Sequence, residues 1–195
     1  MWNWPNTLTL GRIFLVPFLV VVILTRWEGW EYWGLGIFLA ASITDGLDGY
    51  LARRLNQRTR LGALLDPIAD KFLMTGAFVS LVEMGIVPSW MVVIIIGREF
   101  LVTGLRMTAL EQNLVIPASR LGKLKTLSQT VAVVACILQV RLDQVVLTVF
   151  HHPMAIFAVL ARTFLWIAVI LSLGSMADYF VSFYRVLSQD GRHDA

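Results

Sequence analysis

Residues 45–70 read D-G-L-D-G-Y-L-A-R-R-L-N-Q-R-T-R-L-G-A-L-L-D-P-I-A-D, and the reading of this stretch decides the fold. It holds four aspartates, four arginines and three glycines in a chain otherwise made of apolar runs. The acids come as two pairs, Asp45/Asp48 and Asp66/Asp70, and helical i,i+3 and i,i+4 spacings put each pair on one face. Carboxylates inside a bilayer are costly and mark function when they occur there. At about 100° per residue, Asp45, Asp48, Gly49 and Ala52 form one stripe with Arg53 at its edge. Gly62, Asp66 and Asp70 form a second stripe in steps of about 40°. Small residues beside the acids let helices approach closely.

Four carboxylates at one place repel each other unless cations neutralise them. An oxygen-only donor set suits Mg²⁺ or Mn²⁺. Two such ions about 4 Å apart can hold a diphosphate and serve both the attacking and the leaving oxygen. The plainer alternative is salt bridging of Asp45 and Asp48 with Arg53, Arg54 and Arg58. Two register-matched pairs flanked by glycines favour the metal reading, with phosphoryl chemistry as its use.

The surroundings belong in lipid. Of 195 residues, 57% are hydrophobic and only 15% charged, against about 25% charged in soluble domains; mean hydropathy is +0.73. The length fits one domain over 1–195, with room for six spans of about 20 residues. The net charge of +3 is carried between apolar runs, which indicates a membrane face and no nucleic acid. Cys136 is the only cysteine, so no internal disulfide or thiolate cluster is expected. No small-residue cleavage site follows the first apolar run, so no cleavable signal peptide is expected.

The expected architecture is an all-α integral membrane protein: six transmembrane helices after an N-terminal interfacial segment anchored by Trp2 and Trp4. The expected spans are 7–24, with Pro17 as a possible kink, then 32–53, 62–84, 89–110, 126–140 and 155–180. A basic loop (54–61), a polar connection (111–125) and a semi-apolar connection (141–154) lie between them. Trp27, Trp30, Trp33 and Trp90 read as an outer aromatic belt. His151 and His152 fall on that outer side, away from the acids. Arg53, Arg54, Arg58, Arg60, Arg120, Lys123, Lys125, Arg185 and Arg192 lie on the motif side, against Arg26 and Arg141 opposite. This bias puts the motif at the cytoplasmic face of the cell membrane.

The spacing D-x2-D-G-x2-A-R-x8-G-x3-D-x3-D resembles the signature of the CDP-alcohol phosphotransferases, met at Asp45, Asp48, Gly49, Ala52, Arg53, Gly62, Asp66 and Asp70. The resemblance implies that family's fold, two divalent cations on Asp45, Asp48 and Asp66, and Asp70 as general base and further ligand. It implies contacts to the CDP-lipid from Gly49, Ala52, Arg53, Thr59 and Gly62, with Arg53 at the diphosphate. Pro5-Asn6-x-Leu8-Thr9-x-x-Arg12 is similar to the N-terminal motif of bacterial members, which brings Asn6 and Thr9 near the nucleotide. A homodimer is implied as well.

Arg98-Glu99-Phe100, Gly104-Leu105-Arg106 and Gly122-Lys123-Leu124-Lys125-Thr126 resemble the branch of the family that joins CDP-diacylglycerol to sn-glycerol 3-phosphate. A phosphate-bearing acceptor needs cations of its own, and Arg98, Arg106, Lys123 and Lys125 are the candidates. Lys125 reads equally as ordinary cytoplasmic loop charge, and Arg98 has a competing partner in Glu99. The rival functions are a sibling transferase for inositol phosphate, serine or phosphatidylglycerol, and, from another class, a divalent-cation carrier.

Overall fold

The computed structural model describes the chain over 4–54, 60–111, 120–150 and 156–190, with side chains over 9–44, 68–109, most of 122–148, and 156–186. The described residues form six α-helices and no strand: α1 (Trp4–Thr25), α2 (Trp30–Arg54), α3 (Arg60–Glu83), α4 (Ser89–Glu111), α5 (Arg120–Phe150) and α6 (Ile156–Asp190). Helix α1 runs unbroken through Pro17.

The turns follow local chemistry. Arg26 and Gly29 take positive φ (50° and 87°) in the short link between α1 and α2. Gly85, at φ 73°, ends α3. There the Ile86 N–H donates to the Leu81 carbonyl at 3.0 Å and the Gly85 N–H to the Val82 carbonyl at 2.9 Å. That double closure is a Schellman cap, and glycine takes the left-handed position without a Cβ penalty. Pro88, which cannot continue a helix from before it, directly precedes α4.

Three helix ends differ from the expectation. The 111–125 connection was expected to be loop throughout, yet α5 begins at Arg120, so Lys123 and Lys125 are helical. It also runs through Arg141-Leu142-Asp143 to Phe150, and α6 continues to Asp190. At the C-terminal ends of α5 and α6 the physical reason is the same: no proline or glycine interrupts 123–152 or 175–190, so charge alone does not stop the helix.

The helices group as α1–α2–α3 and α4–α5–α6, with α1 packed on both its partners and α6 on both of its own. The two groups meet through α2·α5, α3·α4 and α3·α5. Buried residues recur at helical spacing on the inward faces: Leu73, Ala77 and Leu81 on α3, Ala132, Val133, Cys136 and Ile137 on α5, Ala161, Leu165, Ala168 and Val169 on α6. The outward faces are apolar too, with Phe14, Phe18, Val93, Phe100, Ile167 and Ile170 exposed. Helices apolar on both faces need lipid around them. Two segments, Leu124–Thr148 and Ile156–Val186, are long and apolar enough to cross a membrane by length and composition.

Trp27, Trp33 and Trp90 are exposed as an outer belt requires, but Trp30 is 4% exposed and belongs to the core. It stands at the first residue of α2, where the helix turns that side chain inward. Trp27 stacks near Trp33, and Trp90 meets Trp166 edge to face at 5.5 Å.

Helix α3 meets α1 tightly at Gly76. A Cβ there would lie 2.7 Å from Val16 Cγ1 and 3.4 Å from Val20 Cγ2 of α1. Both neighbours are β-branched and stiff. Gly76→Leu should therefore lower thermal stability in detergent by an amount on the scale of overpacking, about 1–3 kcal/mol. Gly36→Leu, where nothing lies within 4 Å, should leave stability near wild type. Equal melting of the two variants would show that α1 and α3 are not in close contact.

Candidate active site

Asp45 and Asp48 lie in the C-terminal half of α2, and Asp66 and Asp70 in the N-terminal half of α3. The two helices pack on each other, and both pairs lie toward the helix ends that residues 55–59 join, so both belong to the same end of the bundle. Of the four acids, only Asp70 has a side chain among those described. The side chains of Asp45, Asp48, Gly49, Ala52, Arg53, Gly62 and Asp66, those of Asn6 and Lys123, and all of Thr59, lie outside the described residues. Among the described side chains, no group of three or more His, Cys, Asp or Glu could hold a metal.

Asp70 lines a small cavity where α3 meets α4 and α5, at the seam between the two helix groups. Lys71 and Thr75 of α3, Glu99 of α4, and Lys125 and Gln129 of α5 share that lining. Phe78 and Ile95 close its apolar side. Lys71 feels the charges of Asp70, Glu99 and Arg106, and Lys125 those of Glu99, Arg98 and Asp70. The topology thus gathers residues from three helices that are far apart in sequence.

Glu99 is the hub of the cavity's polar network. Its carboxylate accepts from Arg98 Nη1 at 3.3 Å on each oxygen, from Lys125 Nζ, and from Gln129 Nε2 at 3.2 Å. Gln129 Nε2 also reaches Ser172 Oγ of α6 at 3.3 Å. Lys125, Arg98, Gln129 and Ser172 are all buried. A buried cation without a carboxylate would be strongly disfavoured, so Glu99 is what allows Arg98 and Lys125 to sit inside the bundle.

Lys125 is therefore not loop charge: it is 5% exposed, inside α5, and faces the cavity. Arg98 is paired with Glu99, which supports the competing reading of that pair, but its Nε is buried with no hydrogen-bond partner among the described residues. Arg106 is exposed on α4, its guanidinium 5.9 Å from the centre of the Tyr179 ring on α6. Thr9 and Arg12 are buried near the start of α1.

Sequence reasoning left Lys71, Gln129 and Ser172 without a role and saw Glu99 only as a neutraliser of Arg98. The available signal was a polar residue one helical turn from a cation in an apolar span, as Gln129 is from Lys125.

Acids on adjoining helices, a cation cluster beside the last of them, and an apolar exterior together define a membrane enzyme acting on phosphorylated substrates. The chain belongs to the CDP-alcohol phosphatidyltransferase family, whose model matches residues 2–174. It is 37% identical over 200 residues, covering 96% of this chain and 98% of its relative, to the CDP-diacylglycerol–glycerol-3-phosphate 3-phosphatidyltransferase of Bacillus subtilis. A protein of the same name from Rickettsia typhi is 34% identical over 180 residues, 92% of this chain and 96% of its own. Another, from Salmonella choleraesuis, is 43% identical over 136 residues, 67% of this chain and 74% of its own.

Proposed function

We propose that this chain transfers the phosphatidyl group of CDP-diacylglycerol to sn-glycerol 3-phosphate, giving phosphatidylglycerophosphate and CMP. The observation that carries the reading is the placement of Lys71 and Lys125 around the cavity that Asp70 lines, with Arg98 joined to that cavity through Glu99. An acceptor that is itself a phosphate monoester needs cations next to the base that activates its hydroxyl. Three relatives bearing the name of that reaction support the same acceptor.

In the proposed mechanism the acceptor's phosphate lies against Arg98, Arg106, Lys123 and Lys125. Asp70 takes the proton of the 1-hydroxyl, and the resulting alkoxide attacks the lipid-side phosphorus. The bond from that phosphorus to the bridging oxygen breaks, and CMP leaves beside Arg53. Asn6, Thr9, Gly49, Ala52, Thr59 and Gly62 shape the CDP-lipid site. The donor chemistry of Asp45, Asp48, Asp66 and Asp70 is all carboxylate oxygen, with the helices bearing them in contact, and this fits two hard cations, Mg²⁺ or Mn²⁺. Bound there, such ions supply charge neutralisation for the diphosphate.

The residues 1–195 act as one membrane-embedded domain with six spans. Every helix has at least 22 residues, at about 1.5 Å per residue enough for a hydrocarbon core of roughly 30 Å. The charge bias faces the acids to the cytoplasm, where glycerol 3-phosphate is reached from water and the CDP-lipid from the bilayer. The functional unit is a homodimer. The direct test incubates the purified chain with CDP-diacylglycerol and sn-glycerol 3-phosphate at saturating Mg²⁺ and looks for phosphatidylglycerophosphate. Its formation in step with CMP is the expected result; cation flux in proteoliposomes without nucleotide, and no such lipid, would make the chain a carrier instead.

A further inference from the structure

The cavity contains an anion where its proposed ligand is also an anion. Glu99 lies among the very cations that the acceptor's phosphate requires, and a carboxylate there competes with that phosphate unless it has a separate duty. The contacts indicate the duty. Glu99 takes one nitrogen of Arg98 and the ammonium of Lys125, while a guanidinium has five N–H donors and an ammonium three. Both cations therefore keep donors after Glu99 is served. One of those left over is the Nε of Arg98, buried and without a hydrogen-bond partner among the described residues.

The contacts also tie three helices together. Arg98 and Glu99 belong to α4, Lys125 and Gln129 to α5, Ser172 to α6. Gln129 bridges Glu99 and Ser172, and Ser172 is fully buried. Long cationic side chains lose rotamer entropy when a ligand orders them. A carboxylate that holds them in place beforehand removes that cost from the binding step.

We propose that Glu99 is a positioning residue of the acceptor site: it fixes the Lys125 ammonium in the cavity that Asp70 lines and holds the Arg98 guanidinium against its own carboxylate, so that their remaining donors meet a phosphate monoester. Gln129 and Ser172 orient Glu99 in turn. This rests on the reading of the chain as a transferase to a phosphorylated acceptor. It goes beyond that reading in giving an acidic residue a part in recognising an anion.

The test uses the full-length protein in detergent with Glu99→Gln, which keeps the shape and removes the charge. KM for glycerol 3-phosphate should rise by about tenfold to a hundredfold, the scale of one charge-assisted hydrogen bond. The kcat and the KM for CDP-diacylglycerol should stay within about twofold, because binding equal in ground and transition states is what is lost. Inorganic phosphate, as a competitive inhibitor against glycerol 3-phosphate, should weaken in parallel.

A lower KM for glycerol 3-phosphate would show that Glu99 merely competes with the ligand and would overturn the proposal. So would a fall in kcat with the two KM values unchanged, the mark of a structural role. If Glu99→Gln does not fold, the exchange Glu99→Gln with Gln129→Glu keeps the charge of the cluster but moves the carboxylate to α5. There KM for glycerol 3-phosphate should remain raised, and a wild-type value would show that position is immaterial. If wild-type protein turns over CDP-diacylglycerol with no phosphorylated acceptor, the transferase reading itself fails, which is a different result from an unmoved KM.

Discussion

Asp70→Asn should cut kcat by roughly two to four orders of magnitude, the range for losing a positioned base, while leaving the helical fold intact. Asparagine matches aspartate in size and keeps an acceptor oxygen, but it cannot take the proton of the acceptor's hydroxyl. The cavity contains only one other described carboxylate, Glu99, and its oxygens are committed to Arg98, Lys125 and Gln129. No second carboxylate in the described lining stands ready to substitute. The measurement is initial rate of CMP release at saturating Mg²⁺ and both substrates, with circular dichroism as the control for folding. Near-normal turnover would remove Asp70 from the role of base.

The second large effect is loss of activity on chelation. Treatment with a chelator should lower turnover at least about a hundredfold, a scale in keeping with an ion worth several kcal/mol to a transition state that builds charge on phosphoryl oxygens. Added Mg²⁺ or Mn²⁺ should restore it, and Asp66→Asn should shift the restoring concentration upward. The acids carried by α2 and α3 are then ligands and not salt-bridge partners of the neighbouring arginines. If activity survived exhaustive chelation, or Asp66→Asn left the metal requirement unmoved, the salt-bridge account of these acids would stand in its place.

The helices themselves were legible because this chain punctuates them clearly. Gly85 and Pro88 bracket the α3–α4 turn, and Arg26 to Gly29 separates α1 from α2. The acid pairs could be placed at one end of the bundle from spacing and chain reversal alone. The ends of α5 and α6 were not legible, since charged residues such as Arg141 and Asp143 suggested a loop where no residue actually breaks the helix. Trp30 shows the same limit: its side chain is indistinguishable from a belt tryptophan until the rotation of α2 is known.

The acceptor side of the site was only half readable. Arg98 and Lys125 could be picked out as cations near the right surface. Their meeting at Glu99, and the link through Gln129 to Ser172, depends on how α4, α5 and α6 are rotated about their own axes. Pairs separated by 26, 30 and 43 residues leave no periodic trace in one sequence. Lys71 was hidden for a different reason: it follows Asp70 directly, and the motif to which Asp70 belongs assigns it nothing.

The central claim is the identity of the acceptor, and the measurement that tests it most directly is CMP release from CDP-diacylglycerol across a panel of acceptors. Glycerol 3-phosphate, inositol phosphate, serine and phosphatidylglycerol would each be supplied to the purified protein at saturating Mg²⁺. The account predicts turnover with glycerol 3-phosphate and little above background with the other three. Preferred turnover with inositol phosphate, serine or phosphatidylglycerol would contradict it.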